Sequence, residues 1–105
     1  MRVMVLGAGD VGTFIARELS GRGHDVVLVD RDPSALARAE EVADVLTLHG
    51  SATRRAVLRS AEAERANLAV AVTGSDETNV VAAGLAAELG ARRVVARVDD
   101  PGFYE

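Results

Sequence analysis

Cysteine is absent from this chain, as is tryptophan, and proline occurs only twice. Without cysteine there are no disulfides, no thiolate metal sites and no cysteine nucleophiles, a usage that fits a cytoplasmic location. With aromatics at 3% of residues, the core has to be assembled from alanine, valine and leucine, which demands close approach of backbone elements. Lysine is missing too: all 12 basic residues are arginines, scattered among 16 acidic residues, for a net charge of −4. That balance argues against nucleic acid as a partner. No apolar run approaches the ~18 residues of a membrane span, and the chain opens on a strand-like run rather than a signal peptide. Any membrane role is therefore expected to be peripheral. A length of 105 residues suits one domain, residues 1–105, with roughly 65% of the unfolded surface buried and no room for a second, substrate-holding domain.

What is present begins at Arg2. The apolar run Val3-Met4-Val5-Leu6 passes directly into Gly7-Ala8-Gly9-Asp10-Val11-Gly12, which opens an amphipathic stretch. A G-x-G-x-x-G sequence between a strand and a helix meets three demands. Gly7 permits a tight turn, Gly9 permits close approach of a pyrophosphate, and Gly12 permits close packing of the helix on the strand. The free N–H groups of the new helix would face the phosphates. A second apolar run, Asp25-Val26-Val27-Leu28-Val29, reads as a strand buried on both faces and ends at Asp30, 18 residues beyond Gly12. This is close to the offset of roughly 20 at which an acidic side chain accepts hydrogen bonds from an adenosine ribose. Such a carboxylate repels a 2′-phosphate and favours NAD over NADP, although the adjoining Arg31 can pair with that phosphate. The alternative is that Asp30, Asp32 and Pro33 only begin the next helix, Asp32 as N-cap and Pro33 at the first helical position.

The same rhythm continues. A helix stripe of Val11, Ile15 and Leu19 is stopped by Gly21 and Gly23. Further helices are expected over Pro33 to Ala43, from Ser51 or Thr53 to about Ala61, and over Asp76 to Leu89. Further strands are expected over Val45 to Leu48, Leu68 to Val72, and Arg93 to Val98. Alternation of this kind predicts an α/β fold: a Rossmann-like, doubly wound parallel sheet of five strands in the order 3-2-1-4-5, with helices on both faces and the first two helices together on one. The order reverses between strands 1 and 4, so the ligand crevice is expected at their C-terminal ends. The loop Thr73-Gly74-Ser75-Asp76-Glu77-Thr78-Asn79 opens there. Capping by Ser75 or Asp76 explains part of its polarity and leaves Thr73 and Asn79 unexplained.

These motifs, with His49-Gly50-Ser51-Ala52-Thr53, Ala66-Asn67-Leu68 and Ala96-Arg97-Val98, closely resemble the nucleotide-binding N-terminal domain of the TrkA and Ktr regulatory subunits of potassium transport, also called RCK or KTN. The resemblance runs over essentially the whole chain, and its most specific part is the Thr73 to Asn79 loop. It implies a domain that senses NAD(H), or ATP and ADP, and controls a potassium-translocating membrane protein without turning over a substrate. It further implies a homodimer or larger assembly, associated peripherally with the inner face of the cell membrane. Carried over by position, Gly7, Ala8, Gly9, Asp10, Val11 and Gly12 would hold the pyrophosphate, and Asp30, with Arg31 beside it, the adenosine ribose. Gly50 and Ser51 would border the adenine, Thr73 and Gly74 would meet the far half of the ligand, and Arg97 would lie near the phosphates or distal ribose.

Two departures matter. Some family members that prefer ATP carry a basic residue where Asp10 stands, and an acid there disfavours a triphosphate more than a dinucleotide by like-charge repulsion. The chain also stops after Asp99-Asp100-Pro101-Gly102-Phe103-Tyr104-Glu105, where the family continues, so it is expected to be a short form or part of a longer protein.

The alternative is a nucleotide-binding fragment of an NAD-dependent oxidoreductase, which would need a proton donor or acceptor beside the nicotinamide. His49, Tyr104 and the acids after Thr73 are the few candidates, and each sits where another role explains it better. A methyltransferase using S-adenosylmethionine also employs a glycine loop and a ribose-binding acid, but the Thr73 to Asn79 loop argues against it.

Overall fold

A computed structural model describes residues 1–103. Five strands, β1 (Arg2–Leu6), β2 (Asp25–Asp30), β3 (Leu46–His49), β4 (Leu68–Ala71) and β5 (Arg93–Ala96), alternate with four helices, α1 (Asp10–Gly21), α2 (Pro33–Glu40), α3 (Arg55–Ser60) and α4 (Asp76–Glu88). Short 3-10 turns follow α3 at Ala63–Arg65 and β5 at Pro101–Phe103. The strands form one parallel sheet in the order β3-β2-β1-β4-β5. This is the doubly wound arrangement that the alternating apolar runs predict.

Strand alternation divides the core in two. Val3 and Val5 of β1, with Val26 and Leu28 of β2, point to the face covered by α1 and α2, where Ala16, Ala35, Leu36 and Ala39 are buried. Met4 and Leu6, with Val29, point to the other face, under Leu58 of α3 and Ala82, Ala83 and Ala86 of α4. Both faces of β1 are therefore shielded, and its last four residues are buried. Each fully buried side chain such as Met4, Leu6, Leu28 or Leu58 contributes about 1.5–3 kcal/mol. The alanines let the helices come close to the sheet, as the shortage of aromatics requires.

Several boundaries differ from the sequence reading. α2 stops at Glu40 rather than Ala43, its end closing in a turn with Val42 N–H to Ala39 O at 3.1 Å. α3 starts at Arg55, because the hydroxyls of Ser51 and Thr53 bond to one another at 2.8 Å instead of capping it. β3 starts at Leu46, Gly21 is the last residue of α1 rather than its stop, and Gly23, at φ +88, makes the turn that follows. β4 ends at Ala71 and β5 at Ala96, although the Val72 and Arg97 amides still bond to Leu6 O and Ala71 O, at 2.9 Å each.

Candidate functional site

In a sheet of this topology ligands collect outside the carboxyl ends of the strands, where the order reverses. At that end a cleft of about 460 Å³ lies between three loops. One wall is Gly9 with Val29, Asp30 and Arg31; a second is the turn Gly50 to Thr53; the third is Val72 to Ser75 with Thr78. A second hollow, of about 440 Å³, opens at the opposite end around His24, Asp25 and Asp44, away from all three loops.

The three glycines of the first loop answer to different neighbours. Gly7 turns at φ +118, and a Cβ there would stand 2.9 Å from the amide nitrogen of Thr73. At Gly12 a Cβ would fall 1.7 Å from the carbonyl oxygen of Gly7, so only glycine lets α1 rest on the turn that starts it. At Gly9 a Cβ would meet no atom within 4 Å. The protein's own packing thus requires Gly7 and Gly12, whereas the space at Gly9 is not claimed by the protein.

α1 has Gly9 at its N-cap position and so no side-chain cap, whereas Asp32 caps α2 by accepting from the Ser34 amide at 2.9 Å and Ser75 caps α4 through the Thr78 amide at 3.2 Å. Thr13 is the residue whose N–H reaches back to Gly9 O, at 2.9 Å, so the N–H groups before it lack intrahelical partners. The positive end of the helix therefore lies uncapped beside the open space at Gly9, with Asp10 as the acidic residue of its first turn.

Asp30 faces this helix end and is already engaged. Its Oδ2 accepts from the Ala8 amide at 2.7 Å and its Oδ1 from the Asp32 amide at 2.8 Å. A carboxylate offers about four acceptor positions, so two remain for donors in the cleft. Asp30 is thus not merely the start of α2; it fastens the glycine loop to the end of β2. Next to it, the His49 ring donates from Nε2 to the Arg31 carbonyl at 2.9 Å, a direction set by the carbonyl being only an acceptor. Gly50 bonds to Asp30 O at 2.9 Å and lies so close to Val57 that a Cβ would come within 2.7 Å of it.

On the third wall, Asn79 is fully buried and all its amide positions are used. Its Oδ1 accepts from the Thr73 amide at 2.8 Å and the Thr73 hydroxyl at 2.6 Å; its Nδ2 donates to the carbonyls of Thr73 at 3.1 Å and Arg97 at 2.9 Å. This explains both polar residues that capping leaves unexplained: Asn79 satisfies the main chain of the loop around Thr73. One turn earlier, Asp76 accepts from the amides of Asp99 at 3.0 Å and Asp100 at 2.9 Å. The Asp99 amide first and the Asp100 amide next hold its carboxyl below the usual range; burial opposes them, and the charge of Arg97 adds a lesser lowering.

Of the residues expected at the site, Gly9, Asp30, Arg31, Gly50, Ser51, Thr73 and Gly74 come together as walls of the cleft. Gly7, Ala8 and Gly12 are buried beneath them. Asp10 and Val11 are exposed on the first turn of α1 and are not cleft walls. Arg97 also stands apart from the walls, its guanidinium paired with Asp99 at 3.2 Å and its Nε buried with no acceptor among the described residues. Ala52, Thr53, Ser75 and Thr78 join the walls without having been assigned there. The spacing of Ser75 and Thr78 carried the signal, because residues three apart share one side of a helix's first turn. Among the residues weighed as proton carriers, His49 and Asp76 are held as described, Glu77 is exposed, and Tyr104 lies outside the described residues.

A family model described as the TrkA-N domain matches residues 3–105. The Trk system potassium uptake protein TrkA homolog of Archaeoglobus fulgidus is 39% identical over 105 residues, covering 100% of this chain and 24% of the relative. The Trk system potassium uptake protein TrkA of Mycobacterium tuberculosis (strain ATCC 25618 / H37Rv) is 42% identical over 102 residues, covering 96% of this chain and 46% of the relative. The chain therefore spans less than half the length of either protein. Among solved structures, the Shewanella denitrificans Kef CTD in its AMP-bound form superposes with a TM-score of 0.75 at 23% identity, covering 90% of this chain and 57% of that one. The TrkA-N domain of the Escherichia coli inner membrane protein ybaL superposes with a TM-score of 0.63 at 15% identity, covering 90% of this chain and 86% of that one. At these identities both likenesses speak for the fold alone.

Proposed function

The chain belongs to the TrkA-N domain family, and from that premise we propose that it is the nucleotide-sensing part of a regulator of potassium uptake, binding NAD(H) without turning it over. The observation that carries the reading is the unclaimed space at Gly9, beside an uncapped helix end and across from the Asp30 carboxylate. A pyrophosphate is the ligand group that such a helix end attracts. The two remaining acceptor positions of Asp30 suit the two hydroxyls of a ribose. In this reading Gly50 and Ser51 border the base, and Thr73 and Gly74 meet the far half of the ligand. The buried, unpaired Nε of Arg97 takes a ligand oxygen if the segment after β5 moves toward the cleft.

An adenine mononucleotide, ATP or ADP, shares the ribose and part of the phosphate chemistry. Asp10 favours the dinucleotide, since its charge on the first turn of α1 repels a triphosphate more strongly. The names of the relatives support a potassium-translocating membrane protein as partner. In this reading the chain attaches peripherally at the inner face of the membrane; among the described residues no helix is long and apolar enough to cross one.

The test is a titration of the purified chain with NADH, NADPH, ATP and ADP. A ligand at a hundred times its Kd stabilises the native state by about 2.7 kcal/mol, which in a domain of this size raises the thermal midpoint by roughly 10 °C or more. NADH is expected to give the largest shift, with no oxidation when simple carbonyl compounds are added. Steady turnover above background would overturn the regulatory reading in favour of an oxidoreductase fragment.

A further inference from the structure

The first turn of α4 holds the cleft with one side chain and the segment leaving β5 with two. Asn79 fixes the amide, hydroxyl and carbonyl of Thr73 on the cleft wall and, from the same amide group, the carbonyl of Arg97. Asp76, three residues earlier, holds two amides of that segment, those of Asp99 and Asp100. Resting on the nucleotide reading above, we propose that this turn is a coupling element, in which Asn79 and Asp76 act as positioning residues that transmit occupancy of the cleft at Thr73 to residues Arg97 to Asp100.

The argument is one of satisfied, buried polar groups. Asn79 has no solvent to replace a lost partner, so a displacement of Thr73 by a ligand strands a buried group or carries Asn79 with it. A helical turn is stiff on this scale, and motion of Asn79 moves Asp76. The amides of Asp99 and Asp100 have no other partner among the described residues and follow the carboxylate. Coupling of this kind is reciprocal: loosening the segment after β5 must be felt at Thr73.

Amide hydrogen exchange on the full chain tests this in two arms, with Val5 in the central strand as reference for global opening. Without ligand, Asp76→Ala is expected to speed exchange about tenfold at Asp99 and Asp100, and at least threefold at Thr73, whose amide bonds to Asn79 and not to Asp76. Glu77→Ala removes the same charge from the same turn and is expected to leave all three unchanged. With saturating NADH, exchange in the unaltered chain is expected to slow at Thr73, Asp99 and Asp100 together, and in Asp76→Ala to slow at Thr73 alone. An unchanged Thr73 rate in ligand-free Asp76→Ala overturns the coupling, whatever binds. If calorimetry shows no NADH binding, the nucleotide reading fails, and the ligand-free arm still decides the coupling.

Discussion

Each oxygen of the Asp30 carboxylate holds a backbone amide, that of Ala8 or that of Asp32, and in the proposed complex the same group also meets a ribose. Hydrogen bonds to a charged group are worth about 1.5–3 kcal/mol. Asp30→Ala is therefore expected to weaken NADH and ADP alike by one to two decades and to lower the midpoint of the ligand-free chain as well, which calorimetry and thermal denaturation would register separately. A loss confined to NADH would mean that the ribose common to both ligands is not what Asp30 holds. The glycines of the loop divide the other way. A methyl group at Gly12 would collide with the carbonyl of Gly7, whereas one at Gly9 would meet nothing. Gly12→Ala is expected to destabilise the fold by roughly 1–3 kcal/mol or more. Gly9→Ala should leave the midpoint of the free chain within a degree or two and reduce nucleotide affinity at least tenfold. Undiminished affinity in Gly9→Ala would show that the ligand does not approach there.

At the scale of the element, α4 connects stability to pH. Asp76 has its carboxyl held below the ordinary value near 3.8 by the amides of Asp99 and Asp100. A group whose pKa is lower in the folded chain contributes stability that is fully present above its unfolded value and is lost as pH falls through the folded one. The difference in stability between the unaltered chain and Asp76→Ala should therefore be constant from pH 8 to 5 and shrink below about pH 4. Denaturant titrations across that range would show it, and a difference that grows in acid would refute the assignment. Elements bounded by glycine and built on apolar runs, such as β1, β2 and α1, were legible in the sequence to within a residue or two. The start of α3 was not, because the hydroxyls that promise a cap, on Ser51 and Thr53, satisfy each other instead. Nor was the 3-10 turn after α3, where Glu62 takes φ +60 with no glycine or asparagine to mark it. Part of the cleft's walls, Gly9, Asp30, Arg31, Gly50, Ser51, Thr73 and Gly74, could be read from motif and spacing, whereas Ala52 and Thr53 could not. The role of Asn79 could not, because its partners are fixed by the docking of β5, 18 residues further on.

For the molecule as a whole, β5 is one edge of the sheet, and apolar side chains stand exposed on it and on the helix beside it: Val95 at 52%, Val81 at 54% and Val80 at 44%. An open strand edge with apolar neighbours is a surface suited to self-association. The proposed assembly is a dimer or larger through the region from about Asn79 to Phe103, so that a change at Arg97 to Asp100 alters how subunits meet. By sequence this region runs on to Tyr104, which lies outside the described residues. Light scattering at micromolar concentration should show at least a dimer, and a strict monomer with and without NADH would remove that route while leaving the cleft intact. The order of the strands has a kinetic consequence as well. β1 pairs with β2 across 23 residues of chain, Val3 opposite Val26, and with β4 across 65, Val3 opposite Leu68. Closing the longer loop costs about 1 kcal/mol more, so β4 is expected to dock late in folding. The cleft straddles that last seam, and a chain still crossing the folding barrier lacks the wall of Val72 to Ser75 and Thr78. Nucleotide should therefore lengthen the life of the native state while leaving the refolding rate unchanged, so the bound chain is held folded by slow escape rather than by quicker arrival.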